Sequence, residues 1–223
     1  MSRWIYLSHW LSVETPAYGG GETFGSIPIR SLEQGDSCNA ARWIFPNHIG
    51  THIDLPRHFV VRGRILRDYP ADFWVFRRVY LMDVCRVEPG RVLDLEEMRV
   101  NSIPPDTDFL LVKTGFEAVR HEPIYWQANP VFRPELAEGL RKRCANLRVM
   151  GFDAISLSSW SDRALGRKAH KAFLDHPRPI LPLEDMALSR VDQETSFIQV
   201  IVSPLGVGQA DAAPCLVLAE VKA

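Results

Sequence analysis

The segment Pro46–His58 constrains the fold more than any other part of the chain. In an extended backbone, side chains two residues apart point to the same face. Gly50 and Pro56 disfavour a helix here, so we expect a strand. Four side chains that can bind a metal or carry a proton then share one face: His48, His52, Asp54 and His58. The opposite face carries the apolar side chains Ile49, Ile53 and Leu55.

This polar row predicts a metal site. Imidazole and carboxylate groups are typical ligands of zinc and of other divalent ions. Burying that many polar groups with only a structural role would cost several kcal/mol. Gly50 also leaves room for an ion or a substrate against the backbone.

The overall composition excludes several other functions. The 223 residues include 26 Lys and Arg against 27 Asp and Glu, for a net charge of -1. Such a balance gives no electrostatic footprint for nucleic acid or for an anionic membrane. We also find no apolar stretch long enough to span a bilayer and no secretion signal, so we expect a cytoplasmic protein. The length suits a single domain over residues 1–223.

The four cysteines form no CxxC unit, and this argues against a thiolate zinc site. Because free cysteines are among the most buried residue types, we expect reduced, buried thiols at all four. They are Cys38, Cys85, Cys144 and Cys215.

Apolar and β-branched runs alternate irregularly with helical patterns. Strands are expected over residues 3–8, 38–45, 75–84, 109–112, 147–155, 197–203 and 215–221. Helices are expected over 132–146, where Leu136, Leu140 and Cys144 form an apolar stripe, and over 166–174. Without a regular βαβ rhythm, an α+β or layered β/β/α arrangement is favoured over a doubly wound parallel sheet.

Residues 48–58 carry the full pattern His-x-Gly-Thr-His-x-Asp-x-Pro-x-His. Here the chain resembles the bacterial kynurenine formamidase and cyclase family of metal-dependent hydrolases. The resemblance continues through Leu-Ser, Thr-Pro and Tyr-Gly-Gly within residues 7–20, and through residues 111–115 and 151–153. It implies an α+β fold, a swivelling β/β/α domain with a mixed sheet core. It also implies a homodimer or a homotetramer.

The resemblance further implies a ligand set for zinc or manganese, with two ions per chain. His48, His52 and Asp54 would bind the first ion. Asp54 would bridge to a second ion that His170 and Glu184 hold. From the residues alone, His176 is an alternative to His170, and Asp185 competes with Glu184 because neighbouring residues in a strand point oppositely.

His58 matches the family's catalytic histidine, and Tyr18 matches an aromatic residue that lines the substrate pocket. The implied reaction is arylformamidase-like cleavage of an amide bond in a small aromatic substrate. A metal-activated water attacks the carbonyl, and His58 acts as general acid and base. Two alternatives stay open: hydrolysis of a lactone or isatin-like ring at the same site, or a metal-binding protein without turnover.

Overall fold

The computed structural model describes residues 1–84 and 87–222, so the expectation for Cys85 lies outside the described residues. Mixed β and α elements confirm the α+β prediction. The strands are β1 (Ser2–Tyr6), β2 (Gly25–Arg30), β3 (Ala40–Ile44), β4 (His52–Asp54), β5 (Val75–Phe76), β6 (Val79–Asp83), β7 (Val92–Leu93), β8 (Phe109–Lys113), β9 (Val131–Phe132), β10 (Val149–Phe152), β11 (Leu181–Glu184), β12 (Phe197–Pro204) and β13 (Ala212–Lys222). The α-helices are α1 (Ile124–Gln127), α2 (Glu135–Arg143) and α3 (Arg163–Leu174).

A mixed sheet forms the centre of the molecule. Its strands follow the order β5-β12-β13-β4-β11-β10-β8-β6, and β1 pairs with β13. One half, from β11 to β6, is parallel, whereas β4 is antiparallel to both of its neighbours, β11 and β13. Strand β4 therefore lies where the parallel and antiparallel halves meet, and it is paired with a neighbouring strand along both edges.

The parallel half has an apolar cluster on each face. In β8, Phe109 and Leu111 contact one cluster, and Leu110 and Val112 contact the other. A strand that is buried on both faces reads as an uninterrupted apolar run. The prediction of a buried strand over residues 109–112 is therefore confirmed.

Both predicted helices exist, with shifted ends. Helix α2 is shorter than expected, because the chain before it belongs to β9 and Cys144 has an extended backbone. Its apolar stripe is buried as predicted. Helix α3 begins three residues earlier than expected, where the side chain of Asp162 accepts a hydrogen bond of 2.9 Å from the backbone N–H of Leu165.

Two further expectations concern exposure. Cys144 and Cys215 are buried free thiols as expected, but Cys38 is exposed, so the prediction of a buried thiol is wrong there. Cys38 precedes β3, which pairs within the described residues only with β2, and most side chains of this hairpin are exposed. Among the described residues, no helix has the length and apolar composition needed to cross a lipid bilayer.

Candidate metal centre

The segment from His48 to His58 does not form the single extended strand that the alternation predicts. Only His52–Asp54 is a strand, and Pro56–His58 forms a 3-10 turn. Ten extended residues would span about 33 Å, yet the ring centres of His48 and His58 are 4.0 Å apart. Gly50, at φ +60°, bends the chain before β4. The two ends therefore fold over the strand, and the ligands converge through this turn rather than through a straight row.

Two distant elements complete the cluster above β4. Glu184 lies opposite His52 in the β11–β4 pairing, and His170 projects from α3. His52 Nε2 lies 3.6 Å from Asp54 Oδ1 and 3.4 Å from Glu184 Oε2. His170 Nε2 lies 3.4 Å from Asp54 Oδ2 and 3.5 Å from Glu184 Oε1. These four side chains are almost completely buried.

Asp54 belongs to two sets of groups that are close enough to share an ion. One set is Asp54, His170 and Glu184, and the other is His48, Asp54 and His58. Within each set the potential ligand atoms lie within 4.8 Å of one another. The geometry therefore suits a carboxylate that bridges two cations, and it makes His58 a possible ligand as well as a possible base.

Backbone carbonyls orient two of the imidazoles. His52 Nδ1 lies 2.8 Å from the Gly50 carbonyl oxygen, and His170 Nδ1 lies 3.0 Å from that of Gly166. Since a carbonyl can only accept, each Nδ1 carries a proton and donates it. With Nδ1 held in this way, each ring turns its Nε2 towards the carboxylates, as in metal-binding histidines whose other nitrogen is hydrogen-bonded.

The cluster fits a divalent cation on its own geometry. His52 Nε2 and both carboxylate oxygens of Asp54 are buried, and among the described residues only Asp54 Oδ1 has a close polar neighbour, His48 Nδ1 at 2.9 Å. The other nitrogen–oxygen separations, of 3.4–3.6 Å from His52 and His170 to the carboxylates, exceed ordinary hydrogen-bond lengths. Two ligands at about 2.1 Å from one ion lie roughly 3.0–3.4 Å apart. His52 Nε2 and Asp54 Oδ2 thus lack the close partner that a cation would supply.

Electrostatics lead to the same conclusion. Burial alone would lower the pKa of His170, but Asp54 and Glu184 outweigh it and raise that pKa to about 10. Burial is likewise outweighed at His48, where Asp54 raises the pKa to about 9. Burial would raise the pKa of Asp54, yet the facing histidines hold it well below its usual value. Protonated imidazoles therefore provide the positive charge in the metal-free protein.

Asp211, which sequence analysis missed, contacts both outer histidines. Its Oδ2 lies 3.6 Å from His48 Nε2 and 3.5 Å from His58 Nδ1. The side-chain amide of Asn47 donates to its Oδ1 at 2.7 Å. Burial lowers the pKa of His58, which leaves that imidazole able to accept a proton at neutral pH. No local pattern around Asp211 indicates this role, because only the pairing of β13 with β4 brings it here.

All seven predicted site residues line one cavity of about 350 Å³: Tyr18, His48, His52, Asp54, His58, His170 and Glu184. Burial and the charge of Glu184 raise the pKa of Tyr18 to about 12, so its phenol stays protonated and can donate a hydrogen bond. The individual roles of the seven residues stay predictions. Two further lining residues, Arg163 and Arg167, were not singled out from the sequence.

The sequence left two ligand positions ambiguous, and the structure shows which residue of each pair faces the cavity. His176 is exposed and accepts from the backbone N–H of Arg178 on the outer surface, outside the cavity. Asp185 turns away from the cavity and pairs with Arg120 through two contacts of 2.8 and 2.6 Å. His170 and Glu184 are therefore the members of these pairs that face the site.

Comparison with known proteins places this arrangement in a family. The family described as putative cyclase matches residues 5–159. The chain belongs to the putative cyclase family. The kynurenine formamidase of Bacillus anthracis is 26% identical over 213 residues, covering 96% of this chain and 95% of that protein.

Solved structures share the fold of this cyclase-family chain. Isatin hydrolase A from Labrenzia aggregata superposes with a TM-score of 0.82 at 22% identity, over 100% of this chain and 94% of that one. A structure described as a predicted metal-dependent hydrolase from Bacillus stearothermophilus gives a TM-score of 0.74 at 18% identity, over 99% and 98% of the two chains.

Proposed function

We propose that the protein is a metal-dependent hydrolase that cleaves a non-peptide C–N bond in a small aromatic amide, in the manner of an arylformamidase. The observation that carries this proposal is the buried Asp54 carboxylate, which two sets of ligand groups share at the base of a cavity. The kynurenine formamidase relatives, matched over nearly their whole length, support the same chemistry. The proposal takes residues 1–223 as one hydrolase domain.

The proposed ligands are His48, His52, Asp54, His170 and Glu184. When bound, a divalent cation supplies Lewis acidity, which polarises a carbonyl and lowers the pKa of a coordinated water. The buried donor set supports such a cation. Zinc or manganese, at two ions per chain, is our specific proposal, and elemental analysis of the purified protein tests both the metal and its stoichiometry.

His58 is the proposed general acid and base. It borders the cavity beside His48, and its lowered pKa leaves it neutral and ready to accept a proton from water. It then returns the proton to the leaving nitrogen, a role that contributes roughly 10²–10⁴ in rate. Asp211 would hold the His58 ring from the Nδ1 side. The phenol of Tyr18, which lines the cavity, would donate a hydrogen bond to substrate.

Two substitutions test this assignment. We expect His58→Ala to retain metal and to lose about 10²-fold or more in kcat, whereas His52→Ala loses both metal and turnover. His176→Ala, on the outer surface, serves as the control. If His58→Ala keeps near-native turnover of a formanilide substrate, His58 is not the base. If His58→Ala loses metal, His58 is a ligand instead.

A second candidate reaction is the hydrolytic opening of an isatin-like ring. The superposition with isatin hydrolase A over the whole chain favours it, and the reaction also breaks a C–N bond next to an aromatic ring. Comparing kcat/KM for isatin with that for formanilide separates the two. The higher value identifies the bond that the site accommodates.

We also propose that the protein is a homodimer or a homotetramer. The β2–β3 hairpin is mostly exposed, and two-stranded hairpins are marginal by themselves in water. Trp10 and Trp43 are 70% and 67% exposed and border one apolar depression. Exposed apolar patches commonly mark interfaces. Sedimentation velocity tests the assembly, and Trp43→Glu should shift it to monomer. A wild-type protein that is monomeric at micromolar concentration would contradict the proposal.

A further inference from the structure

Two arginines of α3 line the cavity and have no acidic partner in the part of the chain that the structure describes. Arg163 and Arg167 both border the cavity, and both are exposed. Among the described residues, no carboxylate lies within 4.0 Å of either guanidinium, although many other arginines of the chain are paired or hydrogen-bonded. The guanidinium of Arg163 lies 4.9 Å from the ring centre of Trp160. Two positive charges are therefore available to a molecule that enters the cavity.

These arginines lie on the same stripe of α3 as the ligand His170. Positions 163, 167 and 170 are related as i, i+4 and i+7, which places them on one helix face. With a rise of 1.5 Å per residue, the α-carbons of Arg167 and Arg163 lie roughly 5 and 10 Å along the axis from that of His170. The stripe thus leads from the ligand cluster to the cavity mouth over about the length of a substituted benzene ring.

Helix stability does not account for this placement. Arg163 is the first residue of α3, where the positive end of the helix dipole disfavours a cation; the first turn holds no acidic residue, and the N-cap Asp162 carboxylate accepts from the Leu165 N–H. Arg163 and Arg167 also repel each other as like charges at i, i+4. A bound anion would relieve both unfavourable interactions.

The flanking surface suits an aromatic ring. Tyr18 packs edge-on against Trp160 with 5.7 Å between ring centres, and Tyr18 lines the cavity together with the side chains of Ile155 and Phe59. Aromatic side chains such as Tyr18 and Phe59 pack well against a ring. The cavity therefore offers the ligand cluster at its base, an aromatic wall, and two guanidinium groups at its mouth.

We propose that Arg163 and Arg167 bind a carboxylate of the substrate, so that the enzyme prefers anionic aromatic amides whose carboxylate lies about one ring away from the scissile carbonyl. Guanidinium groups bind carboxylates through short, charge-assisted and often bidentate hydrogen bonds. This inference rests on the proposed amide hydrolase function and specifies its substrate class.

The test compares two substrates that differ only in charge, 4-formamidobenzoate and 4-formamidobenzamide, with the metal-loaded enzyme. We expect kcat/KM to be about tenfold higher for the benzoate. Arg163→Gln and Arg167→Gln should each lower kcat/KM for the benzoate roughly 3- to 10-fold and change that for the benzamide by less than about twofold. Added salt should lower the ratio of kcat/KM for the benzoate to that for the benzamide, because salt screens exposed charges. Lys168→Gln, an exposed charge on the same helix outside the cavity, is the matched control.

Equal kcat/KM values for the two substrates in the wild type would overturn the inference and leave the hydrolase proposal intact. Equal losses on both substrates in the arginine variants would also overturn it, because they indicate a disturbed helix rather than a lost anion site. If the metal-loaded enzyme hydrolyses neither compound, the failure concerns the proposed reaction. Calorimetric binding of 4-aminobenzoate against 4-aminobenzamide then tests the arginines without turnover, and equal affinities refute the anion site.

Discussion

Loading the metal-free protein with a divalent metal should release about two protons near neutral pH. Asp54 and its neighbours raise the pKa of His170 to about 10 and that of His48 to about 9, despite burial. At about pH 7.5, those values leave roughly 97% or more of each imidazole protonated. Histidine binds a metal only through an unprotonated nitrogen, so each ring must lose one proton. Asp54 adds none, because its pKa is held well below its usual value.

Isothermal titration calorimetry measures this release directly. The same metal is titrated into the metal-free protein in buffers of different ionisation enthalpy, and the slope of observed enthalpy against ionisation enthalpy gives the number of protons. We expect a slope of about two, falling by about one in His170→Gln and in His48→Gln. His176→Gln, on the outer surface, should leave it unchanged. At about pH 10 the release should fall to roughly half a proton, because the His48 ring is then largely neutral and the His170 ring about half protonated.

A slope near zero at neutral pH, with metal bound in stoichiometric amounts, would refute the reasoning. It would mean that the imidazoles are already neutral in the metal-free protein. The carboxylates of the cluster would then not compensate the cost of burying charged rings.

Three further predictions concern stability. The raised pKa values of His170 and His48 stabilise the folded state fully below the unfolded value of about 6.5, and this contribution is lost as pH rises through the folded values. The Tm of the metal-free protein should therefore fall between about pH 7 and 10. A Tm that does not change over this pH range would contradict the prediction. Gly50→Ala should lower the free energy of unfolding, measured in urea, by about 1–3 kcal/mol. The control Gly90→Ala should lower it less. Both glycines have positive φ, but of the two only Gly50 would place a Cβ against a side chain, 2.6 Å from Leu11 Cδ2. Arg120→Met should cost about 3–5 kcal/mol, because it leaves the buried Asp185 carboxylate without a cation and with only the Tyr125 hydroxyl still donating to it from a side chain. Adding Asp185→Asn should recover part of this loss, and a loss below about 1 kcal/mol would show that the ion pair is not needed.

The sequence predicts the elements that depend on local pattern. The run at Phe109–Val112 is a buried strand because apolar side chains on both faces require cover from both sides. Leu136 and Leu140 mark a helix because their spacing matches its turn. His52 and Asp54 share a face because they alternate within a true strand. The family resemblance, confirmed by the match over residues 5–159, extended these local patterns to the chemistry of the site.

Other features depend on contacts between residues far apart in the chain. The bend at Gly50 interrupts the predicted straight strand, and hydrophobic alternation did not reveal it because a positive φ leaves no trace in that pattern. Asp211 reaches His58 only because β13 pairs with β4. Arg163 and Arg167 line the cavity only because α3 packs with one face over the ligand cluster. Sequence alone therefore determined which residues can bind a metal, since that capacity belongs to the side chain. The tertiary structure decided which of them meet and what surrounds them, since a site of this kind is assembled by strand pairing and helix packing across the whole chain.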